Sequence, residues 1–270
     1  MNNYGAEKTY SKNGAVVNLN TKPVFRSGAT LKGNLPDNWK QFSGKTFPAK
    51  GLLANRLLAA QTGEEFARLL LQLQPVAVAG GEIVYQPDGA SEYVYFPETA
   101  VFSQLSILED GKTVETAMVG GEGVIGLASV LGFQGGNVWT QTLIAGSAYR
   151  MSAKIFKQEF LRGGFLQLSC LDYINSYIRQ ISQRAVCNNH HRIENRFSSW
   201  LLMLADRSKK NSLRLTQEQI AVVLGVQRPS VTCIAQTLRS NGCIDYLRGR
   251  IVLNRQKLEE SACECYAVVK

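Results

Sequence analysis

Histidine is almost missing from this chain: among 270 residues only His190 and His191 carry an imidazole, and they are neighbours. A β-barrel enzyme built around a metal needs several histidines and a carboxylate lining the barrel, which excludes that class. Long apolar runs are missing too. No stretch approaches the ~18 residues a membrane span needs, and Met1 to Tyr10 lacks the apolar centre of a signal peptide, so a soluble, cytoplasmic protein is expected. No Ser-His-Asp arrangement, paired-acid site or phosphate-binding loop emerges, so no enzyme is expected. Acids are short relative to cations, 21 against 30, for a formal net charge of +9. Such a charge points to a polyanionic partner without separating nucleic acid from membrane. The excess is polarised: Arg184 to Lys257 holds about 13 cations and about 4 acids, whereas Gly51 to Gln183 sums to roughly −4.

The basic segment has a readable layout. Thr216 is a good helix N-cap and Gln219 completes a capping box, which predicts a helix from about Gln217 to Leu224 ended by Gly225. A second helix follows, with Pro229 in its first turn and Val231, Ile234, Ala235 and Leu238 on one apolar stripe. The opposite stripe carries Arg228, Pro229, Thr232, Cys233 and Gln236. Asn241-Gly242 closes this helix. Ile244, Tyr246, Ile251 and Leu253 then alternate with polar residues around Arg248-Gly249-Arg250, the pattern of a two-stranded wing with cations at its tip. Two helices meeting at a glycine are a common packing unit. The wing and the local charge add what makes a helix in a DNA major groove the better reading.

Leu215-Thr216-Gln217-Glu218, Leu224 to Thr232 and Tyr246 to Ile251 resemble the winged helix-turn-helix of the bacterial Crp/Fnr transcription regulators. Trp200-Leu201-Leu202 with Asp206-Arg207, Val94 to Pro97, Glu109-Asp110-Gly111 and Val119 to Gly123 resemble the same family's dimer helix and sensor barrel. The resemblance covers about residues 52 to 266. It implies an α+β protein with a jelly-roll-like N-terminal β-barrel, a long dimerisation helix and a C-terminal winged helix-turn-helix. It also implies a homodimer on a palindromic operator, with double-stranded DNA, a second copy and RNA polymerase as partners. Arg228 matches a family arginine that donates two hydrogen bonds to guanine. Ser230, Thr232 and Gln236 are candidates for base or phosphate contacts, Thr216, Gln217 and Gln227 for phosphate positioning, and Arg248 and Arg250 for contacts from the wing. Pro229 and Cys233 stand where relatives carry a glutamate and an arginine, so relatives' operators do not transfer.

The remaining chain is expected to divide as follows. Residues 1–50, with roughly eight cations and two acids, read as a disordered basic arm. Residues 51–162 form the sensor. Leu52, Leu53, Leu57 and Leu58, then Phe66, Leu69, Leu70 and Leu73, predict one or two helices before Pro75. Short β-rich runs from Val76 to Met151, broken at Gly80-Gly81, Pro87-Asp88-Gly89 and Asp110-Gly111, predict the barrel, interrupted by a helix from about Val124 to Leu131. Residues 163–190 form the dimerisation helix, where Leu171, Ile174, Ile178, Ile181 and Ala185 recur at steps of three and four as a pairing seam, while Leu168, Tyr173 and Tyr177 pack on the barrel. Residues 191–266 form the DNA-binding domain: Ile193, Phe197, Trp200, Leu201 and Leu204 seat it, and Asp206 to Asn211 reads as a surface linker, with Arg207 structural and Lys209 and Lys210 near phosphates.

Gly121-Glu122 fits the start of the family's cyclic-nucleotide site and is the tentative ligand position. The arginine that grips the cyclic phosphate is missing: between Lys112 and Arg150 there is no Lys, Arg or His, and Asn137 to Gln141 occupies the region. A buried phosphodiester without a paired cation is costly by at least several kcal/mol, which disfavours cyclic AMP and leaves any effector unknown. A turn leading into the Val124 helix is the plainer reading of Gly121-Glu122-Gly123. The six cysteines (Cys170, Cys187, Cys233, Cys243, Cys263, Cys265) read as reduced thiols. Family members with an iron-sulfur cluster place cysteines near the N-terminus, and none precedes Cys170 here. Cys263-x-Cys265 reads as surface or packed thiols, Cys233 and Cys243 as packing around the recognition helix, and no metal or cofactor is expected. The alternatives are a regulator that needs no effector, its barrel a scaffold, and a β-barrel enzyme or ligand carrier with incidental DNA affinity.

Overall fold

A computed structural model of the chain describes residues 54–87, 92–132, 138–247 and 249–270. The expected basic arm, Leu52-Leu53, the Asp88-Gly89 turn, Asn137 and Arg248 lie outside the described residues. Two short helices open the described part, α1 (Arg56–Ala59) and α2 (Gly63–Leu70). Asn55 fixes the first. Its Oδ1 accepts from the Leu58 amide at 3.2 Å, and its Nδ2 donates to the carbonyls of Pro97 and Gly123, both at 2.9 Å, so a fully buried amide joins the helix to the barrel.

Seven strands follow: β1 (Gln74–Val78), β2 (Ile83–Tyr85), β3 (Tyr93–Pro97), β4 (Val101–Ile107), β5 (Thr113–Val119), β6 (Val138–Ile144) and β7 (Gly146–Ser152). They pair antiparallel in two sheets, of order β1-β7-β3 and β2-β6-β4-β5, which is the expected jelly-roll-like barrel. Val94, Phe96, Tyr149, Met151 and Phe156 are buried in one core cluster, with the rings of Phe96 and Phe156 edge to face at 5.8 Å. Each such side chain contributes about 1.5–3 kcal/mol by leaving water. The interrupting helix is shorter than expected: α3 runs from Leu127–Val130 rather than from Val124. Ile125 instead pairs with Tyr95 through two backbone hydrogen bonds of 2.8 and 3.0 Å, and Gly126 takes a positive φ of 91° that a helix does not accommodate.

After α4 (Ala153–Leu161), Gly163 and Gly164 turn the chain at positive φ into α5 (Phe165–His190), about 39 Å long at 1.5 Å per residue. Tyr173 and Tyr177 lie on the barrel as expected, and the Tyr177 hydroxyl donates to Gln104 Oε1. Leu168 does not: it is 59% exposed, on the side of α5 turned from the barrel.

The C-terminal part comprises α6 (Ile193–Ser208), β8 (Ser212–Arg214), α7 (Gln217–Leu224), α8 (Arg228–Ser240), β9 (Ile244–Leu247), β10 (Arg250–Leu253), α9 (Arg255–Ser261) and α10 (Cys265–Val269). The expected linker begins later than anticipated. Asp206, Arg207 and Ser208 are the last turn of α6, held there because Asp206 pairs with Arg255 at 2.7 Å and accepts from the Tyr266 hydroxyl at 2.7 Å. Phe197, Trp200, Leu201 and Leu204 are buried with Ile220, Val231, Leu238 and Ile251 of the winged domain. That same cluster takes in Val101, Met118, Leu143 and Ile144 of the barrel. Barrel and winged domain thus share one core.

Candidate nucleic-acid interface

The reading helix is built by local rules. Thr216 Oγ1 accepts from the Gln219 amide at 3.1 Å and Gln219 Oε1 accepts from the Thr216 amide at 2.8 Å, closing the capping box at the start of α7. Gly225 ends α7 at φ 66°, a left-handed conformation that favours glycine. Gln227 stands at the N-cap position of α8 without a side-chain cap, and Pro229 stands in its first turn, where a missing donor costs nothing. Val231, Ile234, Ala235 and Leu238 are buried; Arg228, Pro229, Ser230, Thr232, Cys233 and Gln236 are exposed. Cys233 therefore does not pack, unlike Cys243, which is 2% exposed: its place in the heptad-like pattern of α8 turns it to solvent.

Several of the expected contact residues lie near one another. Gln217 Nε2 donates to Thr232 Oγ1 at 3.4 Å, joining the first turn of α7 to the exposed face of α8. Strands β9 and β10 form the wing, with Arg250 opposite Leu247. Between wing and α7 lies a groove lined by Arg214, Thr216, Gln217, Tyr246, Gly249 and Arg250. Arg214 is a residue that sequence reasoning missed. It lies on β8, cross-strand from Arg250, and Leu213 and Leu215, buried on either side of it, already mark it as outward-facing. Arg228 makes no ion pair among the described residues, so its guanidinium is available to a partner. Arg250 Nε donates to Ser212 Oγ at 2.7 Å, which steadies the base of the wing.

On the side away from the groove, the winged domain is fastened to the barrel and to α5. Glu115 of β5 is 1% exposed. Its Oε2 accepts from Ser103 at 2.6 Å, its Oε1 accepts from Trp200 Nε1 at 2.8 Å, and Arg184 Nη1 stands 3.4 Å away. Burial pushes this carboxyl above the usual range, against the pull of the Arg184 guanidinium and the two donors. Arg184 and Arg196 in turn donate to the end of α7, at Val223 O (2.7 Å) and Leu224 O (2.9 Å). Sequence reasoning missed Glu115; an acid inside the apolar-alternating strand Thr113–Val119 was the available signal.

At the tentative ligand position the Glu122 carboxylate is paired within the chain. Glu122 Oε1 accepts from Arg207 Nε at 2.7 Å and from the Gly120 amide at 3.1 Å, which also gives Arg207 the structural role expected of it. Gly121-Glu122-Gly123 is a tight passage: a Cβ at Gly123 would lie 2.3 Å from the Tyr173 ring.

Residues 195–261 match the family of Crp-like helix-turn-helix domains. The chain carries a Crp-like helix-turn-helix domain. In fold it is similar over most of its length to solved Crp/Fnr proteins. A Crp/Fnr-family transcriptional regulator from Eubacterium rectale is 15% identical, with a TM-score of 0.59 over 76% of this chain and 97% of that one. FixK2 from Bradyrhizobium japonicum is 19% identical, with a TM-score of 0.60 over 71% and 98%. The c-di-GMP responsive global regulator CLP from Xanthomonas campestris is 14% identical, with a TM-score of 0.58 over 70% and 97%. No curated protein matches the chain in sequence. The matched segment is thus a Crp-like helix-turn-helix domain, set in a chain whose fold resembles that of solved Crp/Fnr proteins. Among the described residues no helix is long and apolar enough to cross a membrane.

Proposed function

We propose that two copies of this chain pair along α5 and read a palindromic operator, each placing α8 in a major groove with Arg228 on a guanine. The exposed face of α8 beside a cationic groove supports this reading most directly. Gln217, Thr216 and Gln227 meet phosphates near the helix starts, Ser230, Thr232 and Gln236 meet bases or phosphates, and Arg250 of the wing with Arg214 of the adjoining β8 holds the backbone. Leu171 (45% exposed), Ile178 (55%) and Ile181 (36%) form an apolar row on α5, with Ala185 exposed and Ile174 half-buried beside it. Such a row suits a twin helix, and two-fold symmetry then presents two reading helices about 34 to 36 Å apart. Cyclic AMP is disfavoured as an effector: no cation lies in the sequence between Lys112 and Arg150 to pair with its phosphate, and the Glu122 carboxylate already pairs with Arg207.

Selecting bound genomic fragments with the purified chain, with and without cell extract, tests the reading. A recovered inverted repeat, with affinity falling steeply as salt rises, is the expected result. Equal recovery of scrambled competitor under every condition would overturn it. The Arg207–Glu122 pair also favours a second reading, in which the barrel is a scaffold and no effector is needed. Fragment recovery unchanged by extract would distinguish it.

A further inference from the structure

The end of α5 and the C-terminal turn of the winged domain bring four metal-ligating groups to one point. Cys187 and the helix-capping His191 lie on one face of α5, four residues apart. Cys263 and Cys265 flank the start of α10. One donor atom from each of the four lies within 4.8 Å of every other. Cys187 Sγ is 3.5 Å from Cys263 Sγ, and Cys265 Sγ is 3.4 Å from His191 Nδ1. A tetrahedral zinc ion with bonds of about 2.3 Å to sulfur and about 2.0–2.1 Å to nitrogen sets its ligand atoms about 3.5–3.8 Å apart, so the donors need only small adjustments.

The surroundings are those of a binding site rather than of packed thiols. His191 Nε2 lies 3.2 Å from Glu264 Oε1, so the carboxylate accepts from the Nε2–H and leaves Nδ1, which faces the sulfurs, with the free lone pair. Ser199 Oγ lies 3.1 Å from Cys263 Sγ, and Gln183 Nε2 donates to Cys265 Sγ at 3.0 Å. All three sulfurs belong to buried residues, leaving no open coordination position. Arg184 and Arg196 line the same crevice and offset the net negative charge of three thiolates around a dication. Softness and geometry favour zinc among common metals.

We propose that Cys187, His191, Cys263 and Cys265 hold one zinc ion in a closed site that staples α5 to the winged domain. Binding releases the three thiol protons to solvent. The site does not depend on which DNA is read. It belongs to this chain's own C-terminal turn, where the Cys-x-Cys pair alone is too weak a signal to reveal it.

The test uses the full chain purified under reducing conditions, with elemental analysis and then cobalt titration of the chelator-treated protein. One zinc per chain is expected. Cobalt should give intense visible bands of tetrahedral coordination with thiolate charge transfer. His191→Gln, at a partly exposed ring, should weaken cobalt binding at least tenfold, and Glu264→Gln by about 10- to 100-fold. Cys170→Ala should leave it unchanged. The proposal is overturned if the folded, reduced protein holds no zinc and develops no cobalt bands. Metal retained undiminished in both His191→Gln and Cys265→Ser would overturn it too. So would a Cys187–Cys263 disulfide in freshly reduced protein, or iron with acid-labile sulfide.

Discussion

Replacing Glu115 separates three parts of the molecule at once, and the cost follows from what loses its partner. Glu115→Ala leaves the Trp200 indole N–H, the Ser103 hydroxyl and the Arg184 guanidinium facing an empty acceptor position, and their residues are almost wholly buried, with the Arg184 side chain 14% exposed. Orphaned buried donors cost about 1–3 kcal/mol each, and a buried pair broken on one side costs about 3–5 kcal/mol, so a loss of about 3–5 kcal/mol is expected rather than the sum. Trp200→Phe removes the N–H together with the buried volume of the second ring, a packing cost that the cycle subtracts. A double-mutant cycle over the two changes isolates the bond between barrel and winged domain, and a hydrogen bond to a charged group should give a coupling of about 1.5–3 kcal/mol. Urea unfolding followed by far-ultraviolet circular dichroism measures it, with the slope against denaturant held as the check on comparability. Additivity to within about 0.5 kcal/mol would refute the reasoning, since two groups in one network cannot act independently.

Arg228→Ala should weaken operator binding by about 1–3 kcal/mol and relax selection at one base pair, read by competition on single-base operator variants; an equal loss on random DNA would make it a phosphate contact. Ile178→Asp with Ile181→Asp places carboxylates on the exposed α5 row, so sedimentation should show a monomer and operator affinity should collapse; an intact dimer rules out this face. Thiol alkylation of the native chain at mildly alkaline pH should label exposed Cys233 first and spare Cys170, whose thiol burial pushes up to about 12, as peptide mass mapping would show. Equal labelling rates at the two positions would contradict the packing described.

What the sequence made legible was local chemistry. Thr216, Gln219 and Gly225 bound α7 without help from the rest of the chain, and the alternation around Arg248-Gly249-Arg250 announced β9 and β10. Where the reading failed, the deciding partner was distant. The Val124 start of α3 was displaced by a bridge from Tyr95, and Asp206 to Ser208 stayed helical because of Arg255 and of Tyr266, 60 residues on. Glu122 pairs with Arg207, 85 residues away, a contact that no local pattern announces. The thiol cluster joins positions 76 residues apart, and no window along the chain contains both halves.

The continuous core that runs from Val101 and Met118 of the barrel through Trp200 into the winged domain has a bearing on how such chains are recombined. A reader grafted from another scaffold would have to fit the β5 surface that Trp200 meets here, so exchanging DNA specificity means carrying the docking face along with the helix that reads.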